Sequence, residues 1–128
     1  ERLFGRAPAP LDDAISHYNL ALLLARTNRL DEAVTEYEEA LARDAADVRA
    51  GSNLAATLVR KGDLRRAAEE LRRVLELDPE DAVAQVNIGL VHVQQGDIPR
   101  ARRAFEEALR LEPSLTPARE ALASLAGP

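Results

Sequence analysis

A short pattern returns at intervals of 34 residues, and that interval decides most of what the chain can fold into. Tyr18-Asn19-Leu20-Ala21, Ser52-Asn53-Leu54-Ala55 and Val86-Asn87-Ile88-Gly89 stand in register. The same spacing carries Ala33, Ala67 and Ala101, then Ala40, Val74 and Ala108, then Leu41, Leu75 and Leu109. A turn recurs with it, as Thr27-Asn28-Arg29, Lys61-Gly62-Asp63 and Gln95-Gly96-Asp97. Three units, 14–47, 48–81 and 82–115, follow one another without insertion, leaving a leader over 1–13 and a tail over 116–128.

Inside each unit the apolar spacing is helical. Leu54 and Leu58, then Leu64, Ala67, Ala68, Leu71 and Leu75, step by three and four on either side of Gly62. Gly62, Gly96 and Asn28 fall where a left-handed residue ends one helix, and glycine or asparagine reaches that conformation most easily. Asp63 and Asp97 follow as N-caps, and Pro99 sits in a first turn that needs no N–H from it. Asp78-Pro79 and Glu112-Pro113 stop the second helices. The pattern predicts helices near 14–27, 30–43, 48–61, 64–77, 82–95 and 98–111. Small residues at 21, 55 and 89 and at 33, 67 and 101 let paired helices close tightly. One hairpin cannot bury its apolar face alone, so the units must stack, and residues 118–126 read as a helix covering the last one.

These residues resemble the tetratricopeptide repeat. The motif is leucine or isoleucine followed by alanine or glycine (Leu20-Ala21, Leu54-Ala55, Ile88-Gly89), with Ala33, Ala67 and Ala101 thirteen residues after the first. Tyr37, Leu71 and Phe105 take its large apolar position, and Pro79 and Pro113 its closing proline. Departures are mild: His17, Gly51 and Gln85 stand at the tryptophan-like position and Ala45 where proline is usual. The resemblance implies an all-α, right-handed α-α superhelix of three helix hairpins with a C-terminal capping helix. It implies little about function, because this fold serves many systems.

Composition narrows the function classes. Basic residues number 17 against 22 acidic, a net charge of −5, and aromatics are 3% of the chain. That balance argues against nucleic-acid binding, which rests on a basic face and stacking platforms. Cysteine is absent, which excludes disulfides and thiolate chemistry. No apolar run nears the length of a spanning helix, so the chain is expected to be soluble, with no membrane partner and the cytoplasm the favoured compartment. It opens at Glu1 without methionine and without a signal-peptide layout, as expected of a domain from a longer protein.

Little in the sequence supports catalysis. His17 and His92, the only histidines, fall two repeats apart at packing positions, so no metal is expected. Ser16 beside His17 is no triad, since adjacent helical residues do not face each other. Glycines 62, 89 and 96 are turns and a packing contact, not a phosphate loop. The chain is expected to be no enzyme and to need no cofactor. Its first unit is acidic, with Asp31, Glu32, Glu36, Glu38, Glu39, Asp44 and Asp47 against Arg26, Arg29 and Arg43. That reads as a solvated convex face or as a dock for a basic partner. Helical spacing suggests the pairs Glu39–Arg43, Glu69–Arg73 and Glu106–Arg110.

The resemblance also implies that the first helix of each unit lines a concave wall. The stripe left free by the core is Ile15, Tyr18, Asn19 and Leu22, then Arg49, Ser52, Asn53, Ala56 and Arg60, then Val83, Val86, Asn87, Leu90 and Val93. The third set is apolar almost all round, and exposed apolar surface marks binding sites. Asparagines 19, 53 and 87 could hold a peptide backbone from both amide ends, or could bond to the adjacent hairpin. Some family members grip the carboxylate of a chaperone tail with lysine, asparagine and arginine. Only Asn53 matches here, with Tyr18, Val83 and Asn87 at the basic positions, which points to a more apolar ligand. The expected function is a protein-interaction adaptor holding an extended peptide or amphipathic helix. The alternatives are a self-associating scaffold, its groove filled by Leu3-Phe4 or a second copy, and a docking appendage of a larger enzyme.

Overall fold

The computed structural model describes residues 13–127. Those residues form seven α-helices: α1 (Ala14–Arg26), α2 (Leu30–Arg43), α3 (Val48–Lys61), α4 (Leu64–Leu77), α5 (Ala82–Gln94), α6 (Ile98–Leu111) and α7 (Thr116–Ala126). The first six follow the spacing within a residue. The last begins at Thr116, ahead of the expected 118, because Pro117 sits in its first turn, where a missing N–H breaks no bond. The expected fold-back of Leu3-Phe4 lies outside the described residues.

Helix ends are fixed by short-range chemistry. The side chains of Asp63 and Asp97 accept from the backbone N–H of Arg66 and Arg100, as their positions predicted. A second series does the same for the first helices: Asp13, Asp47 and Asp81, again 34 apart, cap α1, α3 and α5. Each such cap stabilises its helix by about 1 kcal/mol. Asn28, Gly62 and Gly96 take φ of 62°, 84° and 79°, the left-handed turn that reverses each hairpin.

The hairpins α1–α2, α3–α4 and α5–α6 stack, with α7 packed against α6 as the cap. Ala21, Ala33, Ala55, Ala67 and Ala101 are fully buried where paired helices meet. Gly89 shows how close that approach is. A Cβ there would fall against the Phe105 ring, so the third hairpin requires glycine. One apolar cluster runs through the first two units and into α5; a second joins Val86, Ala101, Phe105 and Ala108 to Ala118 of α7. Tyr37 is sealed in the first, edge-on to Tyr18 at 6.0 Å between ring centres. Desolvation pushes its phenol up to about 12. No described helix is long and apolar enough to cross a membrane.

The carboxylates of the acidic first unit are engaged, partly by its own residues and partly by Lys61 and Arg66 of the next unit. Glu32 pairs with Arg29, Glu39 with Arg43, Asp31 with Lys61, Glu38 with Arg66, and Glu36 holds His17 at 2.6 Å. Asp44 and Asp47 accept from backbone N–H groups. Two expected pairs shift by one residue: Arg73 takes Glu70 and Arg110 takes Glu107, with Glu69 left to Arg65. Arg73 also donates to the Ala45 carbonyl, which turns its guanidinium away from Glu69. Three- and four-residue spacings both make neighbours on a helix, so such contacts decide between them.

Candidate peptide-binding wall

The first helices α1, α3 and α5 are tied side by side by bonds that repeat with the units. Asn53 Nδ2 donates to the Tyr18 hydroxyl at 2.9 Å, and Asn87 Nδ2 donates to the Ser52 carbonyl at 3.0 Å. One helix end further on, Arg60 donates to the Ala25 carbonyl and to Asn28, and Gln94 donates to the Val59 carbonyl. Each of these side chains reaches back to the preceding first helix. For Asn53 and Asn87, the amide N–H therefore takes the second of its two expected roles.

The rest of the stripe divides by exposure. Ile15, Asn19, Arg49, Arg60, Val83 and Leu90 are exposed; Tyr18, Leu22, Asn53, Ala56 and Val93 are half-buried. Ser52, Val86 and Asn87 are 3%, 7% and 4% exposed. Val86 packs into the cluster that α7 completes, and Ser52 lies under the Asp81 cap, its hydroxyl 3.4 Å from that carboxylate. Helical spacing placed both on the wall, but the next helix in the stack covers that position. Val86 and Asn87 therefore present no side chain to a ligand, and Ser52 only borders the hollow between the helices.

What remains is a shallow hollow of about 210 Å³ between α1, α3 and α5, lined by Tyr18, Arg49, Ser52, Asn53, Asp81 and Val83. The Arg49 guanidinium lies over the Tyr18 ring, 4.9 Å from its centre. Asn53 Oδ1 accepts no hydrogen bond from the described residues, and the Asn19 side chain makes none among them. From Val83 at the edge of the hollow, bare apolar surface continues to Leu90; the two are 45% and 36% exposed. Asp81 is the lining residue that sequence reasoning missed. Its signal was available, since Asp13, Asp47 and Asp81 recur on the repeat.

The two histidines have different partners. His17 bridges α1 to Glu36 of α2, while His92 contacts Gln95 at the C-cap of its own helix. Among the described residues no group of three or more His, Asp or Glu side chains could hold a metal ion.

Known proteins can be set against this geometry. The first tetratricopeptide domain of Spaghetti (RPAP3), solved with the HSP90 peptide SRMEEVD, superposes with a TM-score of 0.79 at 18% identity, covering 88% of this chain and 90% of that one. The second such domain of human RPAP3, solved with an HSP70 peptide, gives 0.78 at 22% identity, covering 90% and 96%. YrrB, described as a repeat protein with an unusual peptide-binding site, gives 0.78 at 22%, covering 87% of this chain and 57% of that one. No curated protein sequence matches the chain. Family profiles described as tetratricopeptide repeat match residues 14–47, 52–116 and 86–126. With the repeated hairpins, the buried small-residue contacts and these matches together, the chain belongs to the tetratricopeptide repeat family.

Proposed function

We propose that this protein is a non-enzymatic interaction module that holds a segment of a partner protein, extended or as an amphipathic helix, along its concave wall. The observation that carries the reading is the pairing of exposed Val83 and Leu90 with the unengaged amide atoms of Asn53 and Asn19. Apolar surface of this kind seats side chains, and amide groups hold a peptide backbone without reading its sequence. The structurally similar RPAP3 domains were solved with chaperone peptides, which supports a peptide as the ligand class. The ligand here is more apolar than a chaperone tail. Tyr18, Val83 and Asn87 are uncharged, and Arg60 is bonded to the Ala25 carbonyl.

The test is selection from a random peptide library displayed on phage, on the native protein and on the variant Val83→Glu with Leu90→Glu. Both positions are exposed, so the variant keeps its fold, which circular dichroism checks. Peptides enriched on the native protein and lost on the variant support the reading. The same peptides on both, or none on either, overturn it.

A second reading has its own observation. On the open side of the first hairpin Leu20 and Leu23 are 43% and 56% exposed, with no helix stacked on them among the described residues. A second copy stacked there gives a self-associating scaffold, which sedimentation over a wide concentration range would reveal as mass rising with concentration.

A further inference from the structure

The wall uses one side of α5. The opposite side, carrying Ile88 and His92 with Gln95 just past its end, faces α4 across a cleft of about 270 Å³ whose other wall includes Ala68, Leu71 and Arg72. This cleft lies away from Val83 and Leu90, because residues five or nine positions apart fall on different faces of a helix.

The repeat supplies an internal reference for it. Thirty-four residues earlier, the junction of α2 with α3 has Val34 in place of Ala68, Tyr37 in place of Leu71 and Leu58 in place of His92. All three are buried there. The α4–α5 junction thus replaces valine by alanine, a phenol ring by leucine and a leucine by an imidazole, and an apolar gap is the consequence. A hollow also remains lower in the α2–α3 junction, but its Glu38 and Arg66, and its Glu70 and Arg73, are already paired with each other.

The charges over the two junctions differ as well. Lys61 pairs with Asp31 at 2.5 Å and Arg66 pairs with Glu38 across the first. At the corresponding positions of the second stand Gln95 and Arg65, and Arg100 and Arg72, so both carboxylates have become arginines. Arg65 and Arg100 reach Glu69 and Asp97, three or four residues away in sequence, at 3.5 and 3.6 Å. The Arg72 guanidinium, on the cleft itself, has no ion pair or hydrogen bond among the described residues.

We propose that the α4–α5 cleft is a second docking site, separate from the concave wall, for a partner-protein segment that carries an aromatic side chain flanked by carboxylates. The ring enters the gap over Leu71 and Ile88, and the carboxylates meet Arg72 and its arginine neighbours. Such an occupant returns to the second junction what the first already contains, a buried ring and two carboxylates. Guanidinium groups beside an apolar surface suit it, since they bind carboxylates bidentately and stack on rings.

The probe is a fluorescein-labelled peptide with the core Asp-Glu-Phe-Glu-Asp, followed by anisotropy at low salt. Saturable binding is expected, about tenfold weaker when the phenylalanine is replaced by alanine and about tenfold weaker against Arg72→Glu, each the effect of one good contact. The variant Ala68→Val, Leu71→Tyr, His92→Leu, which copies the first junction into the second, should melt higher and bind nothing. Val83→Glu with Leu90→Glu should bind as the native protein does, which separates this site from the wall. Absence of saturable binding, binding indifferent to Arg72→Glu, or loss on the wall variant overturns the proposal. If the filled variant does not fold, Arg72→Glu, a surface change, still decides.

Discussion

The two asparagines at the centre of the concave wall occupy the same repeat position and end in different places. Asn53 is half-buried and donates to a hydroxyl, while Asn87 is sunk onto a backbone carbonyl. The cause is one residue in the preceding unit. Tyr18 puts a ring and an O–H in front of Asn53; its counterpart Ser52 is small, and the Asn87 amide drops past it to the main chain. The first half of the wall is therefore latched side chain to side chain. The second has withdrawn its amide N–H into the structure and left Val83 and Leu90 bare. Identical backbone repeats can thus present unlike surfaces, and a wall of this family has to be read through its neighbours, not its own stripe.

That difference can be broken in order of expected effect. Asn87→Ala removes a buried hydrogen bond to the Ser52 carbonyl, which keeps its helical bond within α3, and opens a cavity, and should cost about 1–3 kcal/mol in urea denaturation. Asn53→Ala should cost less than half as much, because the Tyr18 hydroxyl can turn to water; equal losses would remove the distinction. Gly89→Ala should cost a similar 1–3 kcal/mol by forcing a methyl against Phe105. Alanine already occupies the matching position 55, so the two hairpins are not interchangeable there.

Alkaline titration gives the next effect. The folded phenol of Tyr37 is raised to about 12 from its ordinary 10.0, so the unfolded chain loses that proton first. Stability from this group is complete below pH 10 and is lost as pH climbs from there through about 12. Melting temperature should fall over that window, and Tyr37→Phe should flatten the fall. The smallest effect on stability belongs to Val83→Glu and Leu90→Glu, each within about 0.5 kcal/mol, as exposed substitutions usually are. A larger loss for either would show that the bare surface is part of the core.

Much of this was legible in the sequence, for physical reasons that particular residues show. The hairpins follow from a spacing of three and four interrupted by Asn28, Gly62 and Gly96, whose left-handed backbone is a local matter. The burial of Ser52 and Val86 was not legible from the stripe, because it depends on the helix stacked next to each. A design resting on Val86→Glu would have damaged the second apolar cluster instead of the wall. The choice of Glu70 by Arg73 likewise follows from a carbonyl in another unit, at Ala45, which no pattern along α4 reveals. The α4–α5 gap was legible after all, by setting Val34, Tyr37 and Leu58 against Ala68, Leu71 and His92.

The most direct test of the concave wall as a peptide seat is nuclear magnetic resonance of the ¹⁵N-labelled protein titrated with a peptide selected from the library. The largest amide shifts should fall on α1, α3 and α5 around Asn19, Asn53, Val83 and Leu90, including their side-chain amides. Shifts confined to α2, α4 and α6, or to the open face around Leu20 and Leu23, would contradict it.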